Sequence, residues 1–355
     1  MNRKFCLIFA LLVAPAANCS EEVRSAEFLS RTFEVDRIYR SMEGPYETRE
    51  ITLLGSEEPE LLWIRAIRSE IVGEDGKASM SGEFMCHVNM DIDPDKHRAA
   101  FDLSKPYVNS RLMTLAQGQF AVVFPDGFGA PLMSDEPLFM NSQVLNHNIE
   151  DAIFNIRHKI VVDFVRDRDL STPMKPLFVS AAFGMKLISG VNGYYGLDLI
   201  DPALHGPGCL TGAPADNSTA GSNFGDRFGR KFTGHWTVTP GREVNHTPVT
   251  SLMAIPFDTT IHYIAIHLHP FAESVELYDL TEDRSVFRSN AGNVRQGIGL
   301  ASVETYSSKV GIPVFRDHEY ELVSVYNNPT TENHDAMATV FLYLLDKDFG
   351  RPNSL

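Results

Sequence analysis

Short segments rich in β-branched and aromatic residues recur along the chain, each bounded by turn-forming residues. Their length and spacing are typical of antiparallel β-sandwiches. The predicted strands cover residues 61–67, 84–92, 119–124, 159–165, 177–187, 261–269, 320–326 and 338–345. Helical periodicity is weak, apart from a candidate amphipathic stretch at residues 21–41. The pattern therefore predicts an all-β protein.

The 355 residues exceed what one ordinary core accommodates, so two domains are expected. A charged, proline-containing segment at 166–176 separates two strand-rich halves and is the best linker candidate. We place the boundary near Pro173, with one sandwich at 20–173 and the other at 174–355. Residues 190–234 are rich in Gly, Pro, Asn and Asp without alternation, which indicates an insertion or functional loop.

The first 19 residues have the build of a secretory signal peptide. Arg3 and Lys4 precede an apolar run, and small residues follow it, so the mature protein is expected to be exported, either to a periplasm or outside the cell. The run ends near Cys19 in a loose match to a bacterial lipoprotein cleavage box, which leaves lipid tethering as an alternative. No later window is apolar enough for a membrane-spanning helix.

Charge and cysteine content narrow the function classes further. The formal net charge of -15 repels phosphate backbones, which makes nucleic acid and anionic membranes poor partners. Of the four cysteines, only Cys86 and Cys209 lie well inside the predicted mature chain. They could form one disulfide in an oxidising compartment, but a dense disulfide scaffold is excluded.

The strongest candidate chemistry is a His-x-His pair on a predicted strand. Side chains of a strand alternate between faces, so His267 and His269 point the same way and could chelate one metal ion. Met337 precedes the last predicted strand, and a thioether joined to two imidazoles favours copper over zinc or magnesium. The alternative is that both histidines and the methionine are ordinary core or surface residues.

A second candidate site lies in the first half. Cys86 and His87 are neighbours on one predicted strand, and they face opposite sides unless a bulge redirects one of them. His147 ends another strand, and we expect His87 and His147 to share a metal environment with Cys86 as an uncertain third ligand. A Cys86–Cys209 disulfide is the competing interpretation. His235, which closes the long insertion, is the other histidine of interest.

The order of these motifs resembles the copper type II, ascorbate-dependent monooxygenases. The matching stretches are 78–92, 125–148, 176–186, 238–272 and 306–343. The resemblance implies two antiparallel jelly-roll sandwiches in tandem, with one copper ion in each and a solvent-filled cleft between them. It further implies that His267, His269 and Met337 hold the catalytic copper, that dioxygen attacks a C–H bond, and that an external reductant such as ascorbate supplies electrons.

Two departures from the family pattern change the expected chemistry. The family has two histidines where this chain has Cys86 and His87, which affects the electron-transfer copper. Peptide-hydroxylating members grip a substrate carboxylate with an Arg and a Tyr, and Ala265 and Phe341 stand there instead. Since a carboxylate buried against these two would be unpaired, we expect a small-molecule or peptide-like substrate without a terminal carboxylate.

Three functions therefore remain at the level of sequence. The first is an exported copper-dependent monooxygenase, and the second is a non-catalytic copper-binding protein that handles the metal. The third is a β-sandwich module that binds a glycan or a protein, with structural histidines. The sequence leaves the substrate, the reductant and the oligomeric state open.

Overall fold

The structure is a computed structural model that describes residues 22–55, 58–101, 109–187, 223–225 and 231–352. The predicted signal peptide, Cys19, Cys209 and most of the predicted insertion at 190–234 lie outside these residues. Among the described residues, no helix is long and apolar enough to cross a membrane.

Ten strands build an N-terminal β-sandwich. They are β1 (Arg24–Leu29), β2 (Phe33–Val35), β3 (Tyr46–Ile51), β4 (Leu61–Gly73), β5 (Met85–Ile92), β6 (Arg111–Ala116), β7 (Ala121–Val123), β8 (Phe128–Met133), β9 (Leu138–Val144) and β10 (Phe154–Arg166). One sheet has the order β3-β9-β5-β6, and it faces a sheet in which β1, β10, β4 and β8 are neighbours. A short helix, α1 (Pro94–Ala100), begins at Asp93, whose carboxylate accepts the backbone N–H groups of Asp95 and Lys96.

The remaining strands build a second sandwich. They are β11 (Lys175–Phe183), β12 (Lys186–Leu187), β13 (Asn223–Gly225), β14 (Lys231–Thr233), β15 (Trp236–Val238), β16 (Gly241–Pro248), β17 (Thr259–Leu268), β18 (Ala272–Asp279), β19 (Arg284–Asn293), β20 (Leu300–Val303), β21 (Tyr306–Val314), β22 (Tyr320–Asn328), β23 (His334–Ala336) and β24 (Ala338–Leu345). Strands β11, β24, β17 and β21 form one layer, and β16-β22-β18-β19-β20 form the other. Helix α2 (Thr250–Met253) is a single turn, and 3-10 turns occur at Gly82–Phe84 and Asp167–Asp169.

A continuous sheet joins the two sandwiches. Strand β11 pairs in parallel with β8 through Lys175 and Pro176, so the layers of both sandwiches merge into one sheet of ten strands. The rest of the pairing is antiparallel among the described strands. The fold is thus all-β, with two antiparallel jelly-roll sandwiches in tandem, as the sequence predicts.

The central strands of the second sandwich are buried on both faces. On β17, Ala265 belongs to the first hydrophobic core, whereas Ile264 and Ile266 belong to the second. On β24, Phe341 packs into the first core and Leu342 into the second. This layer is therefore a wall shared by both cores. Since successive residues of a strand point to opposite faces, every second side chain of β17 and β24 points toward the N-terminal sandwich.

Strands form at each predicted position, but the segment 177–187 contains two strands, β11 and β12, and β4 and β10 are longer than predicted. The candidate helix at 21–41 is wrong, because this region forms β1 and β2. Its exposed and buried positions alternate as in a strand, and both strands pair with β10. The hydrogen bonds that β10 offers along its edge therefore override the weak helical periodicity.

Truncation of Phe341 should destabilise the shared wall. Its ring is buried in the first core, and a Phe→Ala change in such a position costs about 3–5 kcal/mol through lost burial and the cavity left behind. Urea unfolding of Phe341→Ala should show this loss. The control is Val310→Ala, because Val310 is 85% exposed and should change the unfolding free energy by less than about 0.5 kcal/mol. Equal effects of the two changes would contradict the shared wall.

Candidate metal centre

Three segments of the second sandwich converge at one point. His269 directly follows β17, and His235 directly precedes β15. Strand β15 pairs with β23, with Thr237 opposite Asp335, so this short ladder holds Asp335 close to His235. Residues distant in sequence thus meet because their strand ends share one edge of the fold.

The ligand atoms of these three residues form a compact group. Oδ2 of Asp335 lies 2.7 Å from Nδ1 of His269 and 3.2 Å from Nε2 of His235. All candidate ligand atoms of the three lie within 4.8 Å of one another. The two imidazole rings are 5.3 Å apart between centroids and nearly perpendicular, at 77°. The 2.7 Å contact between Asp335 and His269 lacks the alignment of a hydrogen bond.

The group is buried, and burial sets its protonation. Burial by itself raises the pKa of the Asp335 carboxyl, but attraction by His269 and hydrogen bonding from His235 outweigh this and hold that pKa well below its usual range. Burial lowers the pKa of His235 despite its bond to Asp335. At neutral pH the centre therefore contains an ionised carboxylate next to a neutral imidazole, which is the state in which both groups bind metal ions.

A second layer of contacts orients His269. Its Nε2 lies 3.3 Å from Oγ of Ser41 in the N-terminal sandwich, and its backbone N–H donates to the Tyr326 hydroxyl at 3.3 Å. The same hydroxyl donates to the carbonyl of Met337. Nδ1 of the same ring faces the Asp335 carboxylate, so both ring nitrogens of His269 lie next to an oxygen atom.

His267 and His269 are brought together, as the His-x-His spacing predicts. Their rings are 5.3 Å apart between centroids and perpendicular. Neither nitrogen of His267 has a hydrogen-bond partner, and burial lowers its pKa well below the usual value. His87 is buried close enough to interact electrostatically with both rings, and its pKa falls to about 3 through burial and then the Arg111 charge. The candidate ligands from the two halves thus share one buried region.

Cys86 occupies a β-bulge in β5. Met85 lies opposite Val144 and His87 opposite Gln143, so Cys86 is the extra residue between them. The bulge buries both neighbours, and Sγ of Cys86 lies 3.9 Å from Oγ of Ser41. Cys86 is a free thiol, and burial raises its pKa to about 11. Cys86 therefore contacts Ser41, the residue that also contacts His269. Its role as a metal ligand stays a prediction.

Met337 and His147 lie in different environments. Met337 packs with Met42 and Phe183 in a small apolar cluster, which is the environment of a core residue. Its sulfur as a copper ligand stays a prediction. His147 lines a cavity of about 220 Å³, and its Nδ1 is buried without a hydrogen-bond partner. Asp335, one of the three clustered residues, lines the same cavity.

The family resemblance implies an open cleft, and this expectation is wrong for the described residues. Ala265 and Phe341, which stand where a substrate carboxylate would be gripped, are buried in the core between the sandwiches.

Sequence reasoning also missed Asp335 as a ligand candidate and left His235 without a role. Asp335 has no spacing partner in sequence, and only the pairing of β15 with β23 brings it to His235.

Comparisons with known proteins bear on the fold. No protein family and no curated protein matches the sequence. Similar solved structures include the STIV MCP, at 6% identity and a TM-score of 0.34, covering 91% of this chain and 97% of that one. PBCV-1 VP54, fitted into the virophage Sputnik, is 10% identical with a TM-score of 0.33, covering 93% and 97%. The major capsid protein P2 from bacteriophage PM2 is 8% identical with a TM-score of 0.31, covering 91% and 100%.

The expected function of an exported copper-dependent monooxygenase is wrong, and so are the oxidoreductase and copper descriptions that go with it. The similar structures named above include viral capsid proteins, and none of those named is a copper monooxygenase. The buried positions of Ala265 and Phe341 agree with this correction.

Cys86 should resist alkylation in the folded protein. Its side chain is 4% exposed, and its pKa is raised to about 11. At pH 8 the thiol is therefore almost entirely protonated and is also shielded from the reagent. Iodoacetamide should label Cys86 slowly in buffer and quickly in urea, as followed by peptide mass spectrometry without reduction. Labelling at equal rates would contradict the buried thiol, and a peptide linked to Cys209 would show the disulfide instead.

His158 should make the protein less stable in acid. It is fully buried against the edge of Phe33, and burial lowers its pKa from 6.5 to about 4. The unfolded chain therefore binds this proton first, and stability falls as pH drops from 6.5 toward 4, by about 3 kcal/mol in total. Urea unfolding at pH 7 and pH 4.5 should show a smaller loss for His158→Leu than for wild type. An unchanged loss would exclude His158 as a source.

Proposed function

We propose that this protein is a metal-stabilised β-sandwich binding module, in which His235, His269 and Asp335 bind one divalent transition-metal ion. The observation that carries the proposal is the convergence of three ligand atoms within 4.8 Å in a buried site. This function belongs to the third class that the sequence left open, with the difference that some histidines bind metal instead of being purely structural.

The chemistry of the donors supports a cation at this position. An ionised carboxylate is costly to bury unless a positive charge compensates it, and an imidazole with a lowered pKa such as His235 compensates only in part. A divalent ion would replace the 2.7 Å contact between Asp335 and His269 with one coordinate bond to each residue. Tetrahedral ligands about 2.0–2.1 Å from zinc lie roughly 3.3 Å apart, so small shifts bring these atoms into range.

The donor set also indicates which ions fit. Two imidazoles and one carboxylate are borderline ligands that suit Zn²⁺ and other first-row divalent ions. The soft sulfur of Met337 lies in an apolar cluster, and the Cys86 thiol is held protonated by burial. We therefore favour zinc for this centre, and copper is one of the ions against which that choice is tested.

The position of the centre favours a stabilising role. The ion would tie the end of β17 to the β15–β23 ladder, and Ser41 would carry this restraint to the N-terminal sandwich. The cavity of about 220 Å³ next to Asp335 has apolar and polar lining residues, including Phe271, Ile298 and His334, as small-ligand pockets do. A metal ion at its base would keep the pocket in one shape.

Wild-type protein should bind one equivalent of Zn²⁺ after dialysis, measured by mass spectrometry of the metal content. Asp335→Asn and His235→Ala should each weaken binding by at least about 100-fold, because each removes a ligand to the ion. At a free Zn²⁺ concentration 100 times Kd, the wild type should gain about 2.7 kcal/mol of stability. Parallel titrations with Co²⁺ and Cu²⁺ rank the ions.

The matched control is His246→Ala. His246 is exposed on β16, and its ring contacts Glu321 on the neighbouring strand β22. Neither residue belongs to the proposed centre, so loss of His246 should leave metal binding unchanged. Binding that is absent in the wild type, or equal in wild type and Asp335→Asn, would contradict the proposed centre. Most nitrogen and oxygen sites bind Cu²⁺ more tightly than Zn²⁺. A preference for Cu²⁺ larger than this usual difference would indicate a copper site instead of a zinc site.

A further inference from the structure

The three ligands of the proposed centre all come from the second sandwich, while a fourth candidate faces it from the first. Structural zinc sites almost always have four protein ligands in a tetrahedron. His147 follows β9 and lines the same cavity as Asp335.

The loop that carries His147 is anchored on both sides. The Asn146 side chain accepts the backbone N–H groups of Asn148 and Ile149 at 3.2 and 3.0 Å and donates to the Arg37 carbonyl at 2.8 Å, which fixes the loop to the first sandwich. The backbone at Tyr39 and Asn146 forms an antiparallel bridge. A loop with this many internal bonds holds its central residue in a defined position.

Asn148 fixes the other side of the same loop to the second sandwich. Its amide donates to the Ile298 carbonyl at 3.0 Å and accepts the Ile298 N–H at 2.7 Å. Gly297 has a φ of +79°, and a Cβ there would lie 2.5 Å from Oδ1 of Asn148. Glycine is thus required for the close approach of the two loops. His147 lies between these two asparagines, in the loop that contacts both sandwiches.

The His147 ring has one polar atom to satisfy. Nδ1 is buried and has no hydrogen-bond partner, whereas Nε2 of His334 in the same cavity lies 2.9 Å from the Thr330 hydroxyl. A buried polar atom without a partner costs free energy, so an occupant of the cavity that pairs with Nδ1 is favoured. A metal ion held by Asp335 is such an occupant.

We propose that His147 is the fourth ligand of the metal ion bound by His235, His269 and Asp335, so that the ion joins the two sandwiches. This inference rests on the proposed metal centre. It differs from the expectation that His147 and His87 share a separate ion in the first sandwich. One ion would take three ligands from the second sandwich and one from the first.

The test uses Co²⁺ and Zn²⁺ with the full chain. Co²⁺ absorption reports coordination number, since four-coordinate ions absorb far more strongly than six-coordinate ones. His147→Ala and His147→Asn should weaken Zn²⁺ binding by at least about 10-fold and reduce the intensity of the Co²⁺ bands. His334→Ala removes a histidine from the same cavity that already has a partner, and it should bind within about threefold of wild type.

X-ray absorption of the wild type with one Zn²⁺ provides a measurement that needs no variant. Three imidazoles and one oxygen ligand are expected, and two imidazoles would overturn the inference. Wild-type affinity and spectra in both His147 variants would also overturn it, while leaving the three-ligand centre in place. Failure of the wild type to bind either ion would overturn the centre and the inference together.

Discussion

The layer formed by β11, β24 and β17 is the constraint on which the rest of the structure depends, because it is buried on both faces. Each strand must supply apolar side chains to two cores at once, so Ala265 and Phe341 serve the first core while Ile264 and Leu342 serve the second. The strict alternation of a strand then carries His267 toward the N-terminal sandwich, into the region that contains His87.

Burial of both faces also determines the chemistry of the histidines. Desolvation disfavours the charged form of each ring, which lowers the pKa of His87, His235 and His267. Asp335 is the exception to this loss of charge, since two imidazoles stabilise its carboxylate. The region therefore contains the buried Asp335 carboxylate together with the neutral rings of His87, His235 and His267. Such an arrangement is compensated better by a cation than by further protonation.

At the edge of the shared layer, the contacts between the two sandwiches are polar. Asn146 and Asn148 connect the loop after β9 to both sandwiches, and Gly297 permits the close approach. Ser41 makes a second polar connection between His269 and the bulge at Cys86. Directional hydrogen bonds of this kind fix the relative position of two bodies more narrowly than apolar packing does. The cavity is lined by Asn148 and Ile298 of the first connection and by Asp335 of the proposed metal centre.

The sequence by itself determined the strands, because period-2 alternation and turn residues are local properties. It also determined that His267 and His269 lie together, since two residues of one strand separated by one position share a face. It could not distinguish a helix from strands at 21–41, where pairing with β10 decides the outcome. Only the tertiary structure brought Asp335 and His235 to His269 and closed the expected cleft, because contacts between distant strand ends depend on sheet pairing that no local pattern encodes.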